Sequence, residues 1–301
     1  MKHFIEYFYS IEVNNLRTLN IGYFFDSYDK KYILYKLKEE NQITKMQNNY
    51  SKYKNNPLLH SIILNIYKKP FSFDGKDYWA LLLVNIGFNK KIDFDDILKF
   101  SKNYLLGYNI KPLKWIDLWK NKVDYIESYL NSNDSIDSKK KILCIYYLGI
   151  AENAIQYLKQ IFNTENGPAL FSLSHERIQK SFLLFDLYNP FNLIEDHISR
   201  DISEYIKSFF IEIDYNNICR KISGLGLNNM DFSLIISRIL FPSMFFDDLD
   251  LNIDGYKSDK DILNYYDYTV KYEKFISSVL KNAKKNRNIY VPTITWIINN
   301  N

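Results

Sequence analysis

Two short stretches of this chain gather side chains that could do chemistry together. Ser174-His175-Glu176-Arg177-Ile178 places an imidazole, a carboxylate and a guanidinium side by side, and Ile194-Glu195-Asp196-His197-Ile198-Ser199-Arg200-Asp201 adds further carboxylates downstream. Carboxylates beside such a loop can hold a divalent cation or take the proton of a hydroxyl, the two tasks phosphoryl transfer asks of protein side chains. Asp196 ends the apolar run that begins at Phe191 and precedes a helical pattern, so its carboxylate is expected to point into a cleft beside His175. There it either holds a cation or bonds to backbone amides. The second role is favoured by the residues alone, because one carboxylate makes a poor magnesium site without substrate phosphates or a second ligand. Asp201 stands three residues before Glu204, and Ile202, Tyr205, Ile206, Phe209 and Phe210 then recur on one face. That is a capping signal followed by an amphipathic helix, and it explains Asp201 structurally.

Other chemistries find less support. Lys36, on an expected third strand, is a candidate phosphate-pairing lysine with Glu39 or Glu40 as its helix partner, although in so Lys-rich a chain a solvated strand lysine is the simpler reading. Residues 12–22 hold only one glycine, Gly22, and no P-loop is present, so a glycine-lined phosphate cradle is not indicated. Gly224-Leu225-Gly226 reads as a turn. His3, His60, His175 and His197 are scattered without cysteine or histidine at ligand spacing, which argues against zinc. No Gly-x-Ser-x-Gly elbow is present, and Ser172 and Ser174 lie too close to His175 to form a triad drawn from separated segments. Trp115 and Trp119 are expected in the core rather than as a base-stacking platform.

The elements that must position these groups fall into two parts. Strands are expected over 4–11, 23–27 and 32–37, the last two forming a hairpin across Tyr28-Asp29-Lys30-Lys31. Ile43 and Met46 suggest a partly exposed helix over 38–53. Strands over 61–68 and 78–86 then flank Phe73-Asp74-Gly75-Lys76, whose Asp-Gly pair signals a hairpin. From Asp93 the period becomes helical: 93–104, 113–130 and 140–162, with Leu143, Tyr147, Ile150, Ala151, Ala154 and Leu158 marking the last as a central core helix. The polar segment 131–135 is expected as a surface loop. Further patterns cover 232–240 and 258–280, and Pro292 is expected in the first turn of a final helix.

Composition bounds the rest. A chain of 301 residues, 47% hydrophobic and 25% charged, is long enough for two lobes and a sizeable core. The aromatic content of 17%, with 26 Tyr and 21 Phe against 9 Gly and 7 Pro, reads as codon bias of an AT-rich genome rather than as an adhesive surface. A net charge of +4 is too small to argue for nucleic acid, and the clusters at 139–141 and 281–287 are expected to be solvated helix ends. Two cysteines, Cys144 and Cys219, make no disulfide framework, which fits a reducing compartment. No apolar stretch reaches the ~18 residues of a membrane span, so a cytoplasmic protein without a membrane segment is expected.

The 175–207 region resembles the bacterial spore-coat-associated kinase-like proteins of the CotS and YutH type, within the aminoglycoside/choline phosphotransferase superfamily. The resemblance rests on Ser174 to Ile178, on Asp196-His197 with Ser199-Arg200-Asp201-Ile202 and Glu204-Tyr205-Ile206-Lys207, and on Gly149 to Ala154. It implies an α+β, two-lobed protein-kinase-like fold: a small, mainly antiparallel β lobe with one helix over 1–88, and a larger, mostly helical lobe over 89–301. It further implies that Asp196 matches the metal-binding Asp, Asp201 a structural Asp supporting the loop, and His175 a hydrogen-bonding loop residue. The family's base Asp is replaced by Arg177 and its Asn by Phe182. A guanidinium stays charged and cannot accept a proton, although Arg177 could pair with Asp196 and remove it from metal duty. The chain is therefore expected to be a pseudokinase with spore-coat components as protein partners. The alternatives are an active small-molecule phosphotransferase, using ATP and magnesium with Glu176 as base, and a scaffold that binds no nucleotide.

Overall fold

The computed structural model describes residues 1–301 except 20, 38–39, 86–89, 110–114, 134, 165–166, 288, 290, 292–293 and 295–301. In chain order, α1 (Lys2–Tyr9), β1 (Asn14–Leu19), β2 (Gly22–Ser27), β3 (Lys30–Leu37), α2 (Glu40–Tyr53), β4 (Ser61–Ile63), β5 (Ser72–Phe73), β6 (Tyr78–Leu83) and α3 (Phe94–Asn103) come first. They are followed by β7 (Leu105–Asn109), α4 (Trp115–Ser132), α5 (Ser138–Thr164), β8 (Ala169–His175), α6 (Leu184–Leu187), β9 (Leu193–His197) and α7 (Ser199–Phe209). Then come α8 (Tyr215–Ser223), α9 (Asn229–Leu240), α10 (Ser243–Ile253), α11 (Asp259–Leu263) and α12 (Tyr265–Arg287). The chain forms two compact units, Met1–Phe100 with Ser181–Ile194, and Ser101–Lys180 with Glu195–Asn301.

The first unit is built on an antiparallel sheet in the order β1-β2-β3-β6-β4, with β5 also paired to β6. Alternation along its strands divides the apolar residues between two faces. Phe25, Tyr32, Leu34, Trp79 and Leu81 face one core, and Phe24, Ile33, Leu37, Ala80 and Leu82 the other. The strand expected over 4–11 is instead α1, because Ile5 and Tyr9 lie one helical turn apart and both bury against the first face. The second face is covered by Met46 of α2 and by Phe185 and Phe191. β1 is an unexpected strand, with a register shift between Asn14 and Arg17 and Asn15 at φ 52°. Gly22 is needed where it stands: its φ is +143°, and a Cβ would overlap the carbonyl oxygen of Leu34 on β3.

The strand expected over 61–68 stops at Ile63. Asn65 accepts hydrogen bonds from the amides of Tyr67 and Lys69 and curls the backbone out of the sheet. The Asp-Gly hairpin forms as expected, but between β5 and β6, with Asp74 accepting from the amides of Lys76 and Asp77. His60 is buried here. It stacks on Phe185, accepts the Asn85 amide on Nδ1 and donates from Nε2 to the Phe185 carbonyl, and burial lowers its pKa to about 4.

The second unit is helical around a three-stranded sheet in which β8 lies between β7 and β9. The central helix is α5, and Leu143, Cys144, Tyr147, Ile150, Ala151, Ala154 and Leu158 along it are buried. Asp137 accepts from the amides of Lys139 and Lys140 at its start. Lys140, expected in solvent, is buried instead and bonds Asn252 and Asp259. α9 packs against both α5 and α7 and is buried from Met230 to Leu240, its polar Asp231, Ser237 and Arg238 included. Leu118 and Leu105 are exposed, and Leu105 begins a strand that was not expected. The segment 258–280 divides into α11 and α12 after a capping box between Ser258 and Asp261. Pro292 and the final helix expected around it lie outside the described residues. Among the described residues no helix is long and apolar enough to cross a membrane.

Candidate functional site

β8 is fully buried and delivers His175 at its end, where the α7 carboxylate of Asp201 meets it. One oxygen of Asp201 accepts the His175 amide at 2.7 Å, and the other takes the Nδ1 proton at 2.7 Å. The loop after β8 is thus clamped to the first turn of α7 by a pair with almost no exposure. His197, at the end of β9, is held in the same manner: Nδ1 accepts the Ser199 amide, so Nε2 carries the proton and donates to Asp231 at 2.8 Å. Burial lowers its pKa, which favours the neutral ring that this bonding pattern describes.

Asp196 sits between these clamps with both oxygens committed. Oδ1 accepts the His197 amide at 2.7 Å and the Trp115 indole N–H at 3.2 Å. Oδ2 accepts from Arg200 Nη1 at 2.7 Å and from Arg238 Nη2 at 2.8 Å. Burial alone would raise its pKa, but Arg238 and Arg200 outweigh it and hold the carboxyl below its ordinary range. Arg238 is itself buried, stacks on Trp115 with its guanidinium carbon 3.4 Å from the ring centroid, and is pulled down to about 10 by desolvation. One backbone amide, that of His197, thus bonds Asp196, and an indole and two guanidiniums accompany it.

Arg177 does not reach Asp196. Its Nε and Nη2 form a two-pronged pair with Asp247 at 2.9 and 3.1 Å, and Nη1 lies 3.8 Å from Glu204. Burial pushes the Glu204 carboxyl up, but Lys207 and Arg177 hold it down to about 2. Lys207 bonds Glu204 at 2.8 Å and the Ser243 hydroxyl at 2.5 Å. Glu176 is exposed, and its carbonyl, like that of His175, accepts a bond from Arg200. Arg200 therefore ties the loop backbone to Asp196 through one side chain.

The remaining candidates lie elsewhere. Lys36 belongs to the first unit, where it pairs with Asp77 at 2.7 Å beside Trp79. Glu39 lies outside the described residues. Gly224 and Gly226 close the turn after α8. Among the described residues no group of three His, Cys, Asp or Glu side chains is arranged to hold a metal ion. Sequence reading named Arg200 only within the resemblance and Trp115 only as core, gave neither a role at Asp196, and missed Arg238 and Asp247. Arg200 could have been found four residues after Asp196 at the start of a helix, whereas Arg238 and Asp247 reach the cluster only through the tertiary fold.

The fold is that of the aminoglycoside phosphotransferases. The enzyme of Alicyclobacillus acidocaldarius subsp. acidocaldarius DSM 446 superposes with a TM-score of 0.54 at 9% identity, covering 91% of this chain and 93% of its own. A thermostable mutant of aminoglycoside phosphotransferase APH(4)-Ia gives 0.56 at 11% identity, covering 92% and 99%. Residues 2–279 match the family described as "Spore coat putative kinase YutH", and the chain belongs to that family. Its relative in Bacillus subtilis (strain 168), endospore coat-associated protein YutH, is 25% identical over 266 residues, spanning 75% of this chain and 76% of that protein.

Proposed function

We propose that this member of the family is a pseudokinase, a kinase-shaped protein that does not transfer phosphoryl groups and acts through protein contacts in the spore coat. The observation that carries the reading is the saturation of Asp196, whose second oxygen is shared by Arg200 and Arg238. Magnesium coordination there would have to displace two charge-assisted hydrogen bonds and leave a buried guanidinium without its counter-ion. At the base position Arg177 is locked to Asp247 and cannot take a proton. The coat association of the Bacillus subtilis relative supports the setting, with the chain made in the cytoplasm and joined to coat proteins there. Asp201 is read as the structural support of the loop, and the organisation as a small lobe over 1–88 followed by a helical lobe over 89–301. Lys36 would serve a nucleotide only after leaving Asp77.

Asp196→Asn tests this reading. A magnesium ligand can be changed with the fold kept and activity lost. A carboxylate that neutralises the buried Arg238 and the half-buried Arg200 cannot, and its loss should cost about 3–5 kcal/mol of unfolding free energy. The variant is expected to unfold at markedly lower urea, with no magnesium-dependent ATP turnover in either protein. Wild-type turnover that disappears in a variant of unchanged stability would overturn the proposal.

A further inference from the structure

The charged cluster walls a cavity of about 250 Å³ inside the second unit. Its lining holds five cations, Lys122, Arg177, Arg200, Lys207 and Arg238, together with the aromatic rings of Trp115, Trp119, Phe241 and Phe246. Trp119 stacks flat on Phe241, with ring centroids 4.3 Å apart. The five cations are paired with Asp196, Glu204, Asp247 and Asp250, and Glu176 also acts on Arg177. Hydrogen-bonding capacity is left over. The Nε of Arg238 is buried with no acceptor, and buried donors of this kind are rare. Arg177 Nη1 is beyond hydrogen-bond distance of Glu204 at 3.8 Å. Lys207 has three ammonium protons and two acceptors, Glu204 and Ser243.

We propose that this cavity binds a compact oxyanion, a free phosphate or a small phosphate monoester, which meets Arg177 and Lys207 while its body lies against Trp115 and Trp119. Tetrahedral oxyanions suit guanidinium and ammonium donors converging from several sides, and the aromatic wall offers an apolar face to whatever carries the phosphate. A cationic ligand would meet five cations on the lining against two carboxylates, Glu204 and Asp247. The proposal rests on the non-catalytic reading in one respect: Arg200 and Arg238 stay on Asp196 instead of yielding it to a metal.

Trp115 and Trp119 make tryptophan fluorescence the readout. The full chain is titrated with inorganic phosphate and with phenyl phosphate, against sodium chloride at matched ionic strength, and ATP turnover is followed on the same preparations. A saturable change with a phosphate and not with chloride is expected. Arg177→Ala should weaken binding by about tenfold or more, the loss of one charge-assisted hydrogen bond with Asp247 left unneutralised. Asp247→Asn, which removes a carboxylate and releases Arg177, should tighten it. This opposite movement keeps the test decisive if circular dichroism shows that Arg177→Ala has not folded. Binding of phenyl phosphate alone would assign the monoester, and equal binding of both the phosphate group itself. A response to chloride equal to that with phosphate, or an Asp247→Asn titration superimposing on that of the unsubstituted protein, overturns the proposal. ATP turnover alongside intact phosphate binding would overturn the non-catalytic reading and leave the anion pocket standing.

Discussion

A carboxylate is defined by its partners, and Asp196, Asp201 and Glu204 show three outcomes within nine residues of chain. Asp201 meets an imidazole and an amide, Asp196 two guanidiniums, and Glu204 a lysine with an arginine at longer range. Each is held by groups that the surrounding strands, loops and helices bring in, which is how charge is kept in a buried setting at all. His60 is the complementary case, a ring kept neutral by burial and by bonds on both nitrogens. Its folded pKa, about 4, lies below the ordinary 6.5, so between these values the unfolded chain takes up a proton that the folded chain does not. The stability it contributes is whole above pH 6.5 and is lost as the pH falls toward 4. Urea unfolding at intervals from pH 7 to 4.5 should show this decline, and His60→Gln should flatten it. Glu204 adds its own loss only lower, from 4.5 toward about 2. An unchanged slope in the His60 variant would assign the decline to other groups.

Among the elements, Gly22 carries the clearest structural demand. Ala there meets both a φ of +143° and the Leu34 carbonyl, so Gly22→Ala should lower the unfolding free energy by more than about 1 kcal/mol. A urea midpoint equal to that of the parent protein would show that β2 and β3 can separate at no cost. The same glycine shows where sequence reading succeeds and stops. It was legible as the lone glycine of residues 12–22, but its reason is the approach of a neighbouring strand, which no local pattern carries. α5 and the β2–β3 hairpin were legible because periodicity and turn residues agree over many positions. α1 was misread because Phe4, Ile5, Phe8 and Tyr9 satisfy a short strand and a helical turn equally well, and only the packing of Ile5 and Tyr9 decides. In the site, the His175 and Asp196 loops were legible from their spacing. Arg238 was not, because it is one of several polar residues in a helix buried all round, delivered by packing.

For the whole molecule, the phosphotransferase-like fold and the family membership sit beside a loop whose Arg177 is paired with Asp247 and a carboxylate, Asp196, shared by two arginines. A fold of this kind hosts more than one function, so the site decides. On the proposed reading Asp196 serves the fold and not magnesium. A thermal-shift titration of the purified chain with ATP, with and without magnesium, tests it without knowledge of any acceptor. Ligand at 100 times its dissociation constant adds about 2.7 kcal/mol of stability, a shift readily seen. Magnesium is expected to make no difference to the melting temperature measured with ATP. A rise that requires both magnesium and ATP, and that is lost in Asp196→Asn, would contradict that reading.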